Sequence, residues 1–168
     1  MPFTPFHFGP GAAIKAAIPT CFSFTTFCYT QGVTDLETAY YLLRGEYPVH
    51  RFFHTYLGAT LIGAFCALTG RPLCEYLLRI WTSPLFSPLN TFFTGPAKIP
   101  WRVAFFTALI GTYSHVFFDS IMHPDITPLR PFSTANPMLH VVSSDLLHVI
   151  CLTLGVAGAL VLSRRRRL

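Results

Sequence analysis

The sequence predicts an all-α fold: a polytopic membrane helix bundle made of a short N-terminal helical hairpin, three spanning helices and an interfacial helix. Three observations predict it. Of 168 residues, 52% are hydrophobic and only 11% charged, against about 25% charged in soluble domains, so lipid is the solvent this composition suits. Long apolar runs fall at about residues 50–69, 101–122 and 138–163, each near the roughly 20 residues that cross a bilayer as helix. Glycines and prolines stand between the runs, where they stop helices and leave short connections. The length suits one integral membrane domain, residues 1–168.

Each element has its own signal. Residues 8–18 and 22–34 are two apolar runs split by Pro19 and Thr20, a tight hairpin over 8–34 that is thin or re-entrant. The chain stays helical through T-D-L-E-T-A-Y-Y-L-L-R and stops at Gly45, with Pro48 beyond. The run 50–69 is a spanning helix ended by Gly70, Arg71 and Pro72. Residues 73–81 have helical periodicity with Trp81 at the end, which predicts a helix lying along the membrane surface. A proline-rich loop over 84–100 follows. Residues 101–122 are the second span, closed by H-P-D-I-T-P-L-R-P, and 138–163 are the third. The N-terminus M-P-F-T-P-F-H lacks the basic region of a cleavable signal, so the first apolar helices are expected to direct insertion.

The formal charge of +5 is a topology signal rather than the mark of a nucleic-acid partner, because four of the twelve basic residues form the run 164–167 and no basic soluble face with interleaved aromatics exists. With a hairpin and three spans, Lys15, Arg71, Arg79, Lys98, Arg102 and residues 164–167 fall on one face, and Arg44, Arg51 and Arg130 on the other. The positive-inside rule then makes the C-terminal face cytoplasmic. The five cysteines form no C-x-x-C pair, and four of them sit in apolar segments and read as small hydrophobes.

Histidines and acids sort to the opposite face, Glu75 alone clearly opposing them. In H-R-F-F-H, His50 and His54 are four apart, one turn of helix, so two imidazoles can reach one ion. In S-H-V-F-F-D, His115 and Asp119 repeat that step, with His123 one turn further. His7 and Asp35 come from the hairpin, so four segments converge. Neutral imidazole with carboxylate suits a divalent ion, zinc first, with manganese and iron as alternatives, and one or two ions fit the number of donors. A hairpin or cap hydrogen bond would equally explain His7 or Asp35. Glu37 is a base candidate or a solvated loop acid, Arg51 and Ser114 are anion contacts or interfacial groups, and His123 and Asp125 flank a turn. Asp145 and His148, three apart on the last span, read as a mutual hydrogen bond or as completing the site from below.

At these residues the chain resembles the bacterial membrane-bound metal-dependent hydrolases, inner-membrane proteins of the LexA-binding, hydrolase-like group, distantly like helical zinc-dependent phospholipase C. The shared elements are T-P-F-H, the acidic T-D-L-E after a hairpin, H-R-F-F-H-T opening a span and S-H-V-F-F-D closing the next, together covering residues 4–120. The resemblance implies that His7, Asp35, His50, His54, His115 and Asp119 are the metal positions and that the protein sits in a bacterial inner membrane. The family's acidic motif often reads P-D-x-D, where Thr34 and Glu37 stand here.

The functional expectation is a metal-dependent hydrolase, phosphoesterase-like or phospholipase-like, acting on a membrane lipid or lipid-linked ester. Asp35 or Glu37 takes the proton from water and Arg51 steadies the anion. A metal carrier or sensor, and a structural membrane protein whose histidines only join helices, are the alternatives.

Overall fold

A 3₁₀ turn, Thr4–His7, leads into α1 (Phe8–Ala17), followed by α2 (Phe24–Leu43), α3 (Tyr56–Trp81), α4 (Trp101–Met122) and α5 (Ser144–Arg165). This computed structural model describes residues 4–81 and 98–165, and no strand occurs among them. Most of the loop expected over 84–100, and Arg166 and Arg167, lie outside the described residues.

The predicted hairpin over 8–34 is present as α1 and α2, and its turn is held from within. Lys15 Nζ donates to the carbonyls of Pro19 at 2.6 Å and Phe22 at 2.8 Å, and Ser23 Oγ accepts the Thr26 N–H as the N-cap of α2. α2 then runs unbroken past Asp35 to Leu43. It ends as the glycine predicts: Gly45 adopts φ +67°, its N–H donates to Leu42 O, and the Glu46 N–H donates to Tyr41 O. These are the two bonds of a Schellman motif, which only a residue tolerant of positive φ completes without strain.

Three boundaries differ from the sequence expectation. The helix expected from residue 50 starts at Tyr56, because residues 44–55 are held as a loop by distant acids and Thr55 Oγ1 accepts the Gly58 N–H at 2.9 Å to begin α3. That helix does not stop at 70–72 but continues to Trp81, so the separate interfacial helix over 73–81 is its last turns. Pro72 lies inside it, with Arg71 and Glu75 clamping across that position. Arg71 Nε donates to Ile99 O, Glu75 accepts the Ile99 N–H, the two side chains approach to 3.3 Å, and the guanidinium lies 4.3 Å from the Trp101 ring centre. The last helix begins at Ser144 rather than 138, which puts Asp145 in its first turn, exposed, rather than near the middle of a span.

Packing follows the small residues. α4 lies against both α2 and α3 and buries Ala104, Ala108, Gly111, His115 and Asp119, spaced three or four apart along one face. α1 packs along α5. Their crossing is close enough that a Cβ on Gly158 would lie 2.6 Å from the Ala12 carbonyl carbon. Arg165 Nη1 donates to Ala16 O at 2.8 Å, while Phe6, just before α1, packs on His148 with ring centres 4.5 Å apart. The two helices therefore run parallel, and Arg165 sits at the end remote from His7.

Among the described residues two helices, not three, are long and apolar enough by themselves to cross a membrane: Tyr56–Trp81 and Ser144–Arg165. α4, read from the sequence as a span over 101–122, has the expected bounds, but His115, Asp119 and its Thr and Ser residues lower its hydropathy. Thr107, Thr112, His115, Asp119 and Ser120 are all buried, facing the other helices.

Candidate metal centre

α4 builds the floor of the site, since the i, i+4 step puts His115 and Asp119 on one buried face. His115 Nε2 lies 3.1 Å from Asp119 Oδ2 and 3.1 Å from Asp35 Oδ1, the latter presented by α2. His54 comes from the loop before α3, with Nε2 3.6 Å from Asp119 Oδ2 and 3.9 Å from Asp35 Oδ1. Four donor atoms thus surround one point, all within 4.8 Å of one another. His7 closes the wall with Nε2 3.2 Å from Asp119 Oδ1.

These atoms are placed for a cation. His54 and Asp119 are 0% exposed, and His54 Nε2, His115 Nε2 and both Asp119 oxygens make no hydrogen bond despite their short mutual distances. A buried carboxylate without partners is costly enough that something positive must answer it. The His115 Nδ1–H donates to Gln31 Oε1 at 2.9 Å, so in the neutral ring Nε2 carries a lone pair aimed at two carboxylates. A proton there would answer one contact and leave His54 facing Asp119 unanswered. A single ion answers all four. Donors about 2.0–2.2 Å from a tetrahedral ion stand roughly 3.3–3.6 Å apart, and the observed separations of 3.1 to 3.9 Å bracket that range. Two aspartates with two neutral imidazoles balance a divalent charge. The group can hold a metal ion, and the donor types leave its identity open.

Gln31 is the residue that the sequence reading passed over. Its amide nitrogen donates to Gly111 O at 3.0 Å, which turns its oxygen towards His115. The close approach of α2 and α4 that allows this needs Gly111, where a Cβ would overlap Thr30 Oγ1. The signal was available: Gln31 is the amide four residues before Asp35, one turn away on the same helix face. Gln31→Leu, which keeps the volume but removes the acceptor, is expected to weaken metal affinity about 10- to 100-fold. Isothermal titration of the chelator-stripped protein measures it, and unchanged affinity would remove Gln31 from the site.

The other predicted residues are distributed differently. His50 is not among the four. Its Nδ1–H donates to Asp125 at 2.9 Å, its ring stacks on His123 with centres 4.5 Å apart, and His50, His123 and Asp125 form a second potential metal-holding group. Burial pushes the Asp125 carboxyl up, but the His50 ring and the Val49 and His50 N–H groups outweigh it and hold it below the ordinary carboxylate range. Burial, then His54, lowers His50, and burial lowers His123, so both rings are biased to the neutral form that binds metals.

Glu37 spends its carboxylate on backbone, accepting the N–H groups of Arg51 at 3.1 Å, Phe52 at 3.0 Å and Phe53 at 2.9 Å, with His54 Nδ1 at 3.5 Å. Arg51 points away from the four donors: it bonds Pro48 O and Glu46 and lies 3.5 Å from the Tyr41 ring centre. It lines, with His50, Asp125 and Arg130, a cavity of about 960 Å³. Ser114 Oγ donates to Gly111 O within its own helix. Asp145 and His148 share no hydrogen bond among the described residues, and His148 packs on Phe6.

No protein-family model, curated protein or solved structure matches the chain. What the site does rests on its own chemistry.

Proposed function

We propose that the chain is a membrane-embedded metal-dependent hydrolase that cleaves a lipid-linked ester, a phosphoester before a carboxylic ester. The observation that carries this reading is the convergence of Asp35, His54, His115 and Asp119, from three separate segments, on one point where His54 Nε2, His115 Nε2 and both Asp119 oxygens are buried without a hydrogen-bond partner. A divalent ion bound there, zinc or alternatively manganese or iron, would polarise the ester oxygen and lower the pKa of water towards about 7. His54, His115 and Asp119 would hold it, with His7 beside Asp119.

Asp35 is the donor with access to solvent, its side chain 24% exposed against 0% for Asp119. It is the group placed to accept the proton of the attacking water as the new bond to phosphorus forms and the ester oxygen leaves. The cavity over His50, with Arg51 and Arg130 on its rim, suits a phosphate headgroup, and Phe52 and Leu57 give it an apolar side.

The membrane half of the reading is a polytopic bundle, with α4 as a third crossing between α3 and α5. Leu146, Val149, Leu152, Val156 and Leu160 of α5 are each more than half exposed, a continuous apolar face that water would not favour and lipid would cover. By the positive-inside rule the arginine end of α5 is cytoplasmic and the site faces the opposite side, of a bacterial inner membrane by the family resemblance. A metal carrier would need a polar path through the bundle. Asp145 is exposed at the start of α5 and His148 packs on Phe6, so neither begins one.

The test is release of headgroup or phosphate from phospholipid and prenyl-phosphate substrates by the detergent-purified chain. Hydrolysis that chelator abolishes and zinc, manganese or iron restores is expected. A chain that retains its ion and leaves the whole panel untouched would refute the hydrolase and favour the carrier or sensor.

A further inference from the structure

Beside the first group, the histidine rings form an unbroken series. His7 and His115 have ring centres 4.6 Å apart, His115 and His54 5.3 Å, His54 and His50 4.7 Å, and His50 and His123 4.5 Å. Five imidazoles seldom gather for packing alone, since each brings two polar nitrogens that need partners.

The outer pair has the same unmet need as the inner group. His50 is 4% exposed and its Nε2 is buried without a hydrogen-bond partner, as is His123 Nε2. The direction of the His50 lone pair is set from behind. Nδ1 carries the proton and donates to Asp125 at 2.9 and 3.0 Å, and Asp125 is itself steadied by the Val49 N–H at 3.1 Å and the His50 N–H at 3.2 Å. A carboxylate behind one imidazole nitrogen, with the other nitrogen bare and buried, is the arrangement that orients histidine ligands towards an ion. Asp119, four residues before His123 at the end of α4, is close enough to act electrostatically on both rings, so its negative charge serves the outer pair as well as the inner group.

We propose that His50 and His123 hold a second divalent cation next to the Asp35–His54–His115–Asp119 group, with Asp125 as the positioning residue, so that the centre is binuclear. The inference rests on reading the inner group as a metal site and deepens the proposed function. Two protein nitrogens leave most of the second ion's coordination to water and substrate. His50 and Asp125 also line the cavity of about 960 Å³ whose rim carries Arg51 and Arg130, so the second ion is the one that meets an incoming anion. That division favours phosphate esters, whose two free oxygens can face both ions.

The experiment is metal stoichiometry on the full chain in detergent, stripped with chelator, titrated with cobalt(II) and followed by visible absorption, with elemental analysis after gel filtration. Two equivalents per wild-type chain are expected. His123→Gln should keep one equivalent and lose the other, and Asp125→Asn should weaken the second about 10- to 100-fold, more than it weakens the first. A wild-type chain that holds one equivalent, undiminished in His123→Gln, overturns the second site and leaves the single-ion hydrolase standing. A wild-type chain that holds none overturns both. The wild-type count decides the matter even if a variant does not fold.

Discussion

Asp119→Asn is expected to lower hydrolysis at least about 100-fold, more than the loss of any residue that only orients a ligand. The carboxylate is 0% exposed and stands within 3.6 Å of His7, His54 and His115, contacts that Asp35, which of these three rings meets only His54 and His115, does not duplicate. Asparagine keeps the shape of the side chain but removes the charge that balances a divalent ion. Metal content should fall with activity. The metal-free variant should melt no lower than the metal-free wild type, because the wild-type carboxylate is then a buried charge among unpaired nitrogens. Elemental analysis, hydrolysis and thermal melting of both metal-free proteins check the three parts. Full activity in Asp119→Asn would sink the proposed centre, and lost activity with undiminished metal would move Asp119 from ligand to general base.

The parts of this site that could be read from the sequence are those governed by local periodicity. His115 and Asp119 share a helix face because α4 is helical with the expected bounds, and Gly45 ends α2 because a left-handed residue must follow there. His50 and His54 were paired from the same i, i+4 step, yet they lie before α3. Their rings are neighbours because a loop is pinned by acids from elsewhere, Glu37 of α2 and Asp125 after α4. No local pattern encodes such an anchor. Pro72 misled for a related reason: its helix-breaking tendency is real, but Glu75 and Arg71 gripping Ile99 across it are contacts over more than twenty residues. The segregation of charge was legible without any fold, and the parallel pairing of α1 with α5 puts Arg165 far from His7 as that segregation requires.

Glu37 separates a chemical role from an architectural one most sharply, and Glu37→Gln is the second variant expected to have a large effect. If Glu37 were the base that activates water, the amide would cost activity and leave stability unchanged. The geometry predicts the reverse order of events. Oε2 accepts the N–H groups of Arg51 and Phe53, Oε1 accepts that of Phe52, and the loop so held carries both His50 and His54. An amide has one oxygen, so at least one of these charge-assisted bonds is lost and a donor NH₂ faces a backbone N–H. Each such bond contributes about 1.5–3 kcal/mol, which puts the expected destabilisation at roughly 2–4 kcal/mol. The metal-free protein should show it in full, since the anchor acts on the loop whether or not an ion is bound. Metal affinity should fall in step, because His54 would no longer be presented at a set depth. Activity should then be partly restored by raising the metal concentration, which no substitute for a missing base could achieve. Thermal melts of metal-free wild type and Glu37→Gln, with hydrolysis measured across a range of zinc concentrations, decide between the two. Equal melting temperatures combined with an activity loss that zinc cannot reverse would return Glu37 to the chemistry.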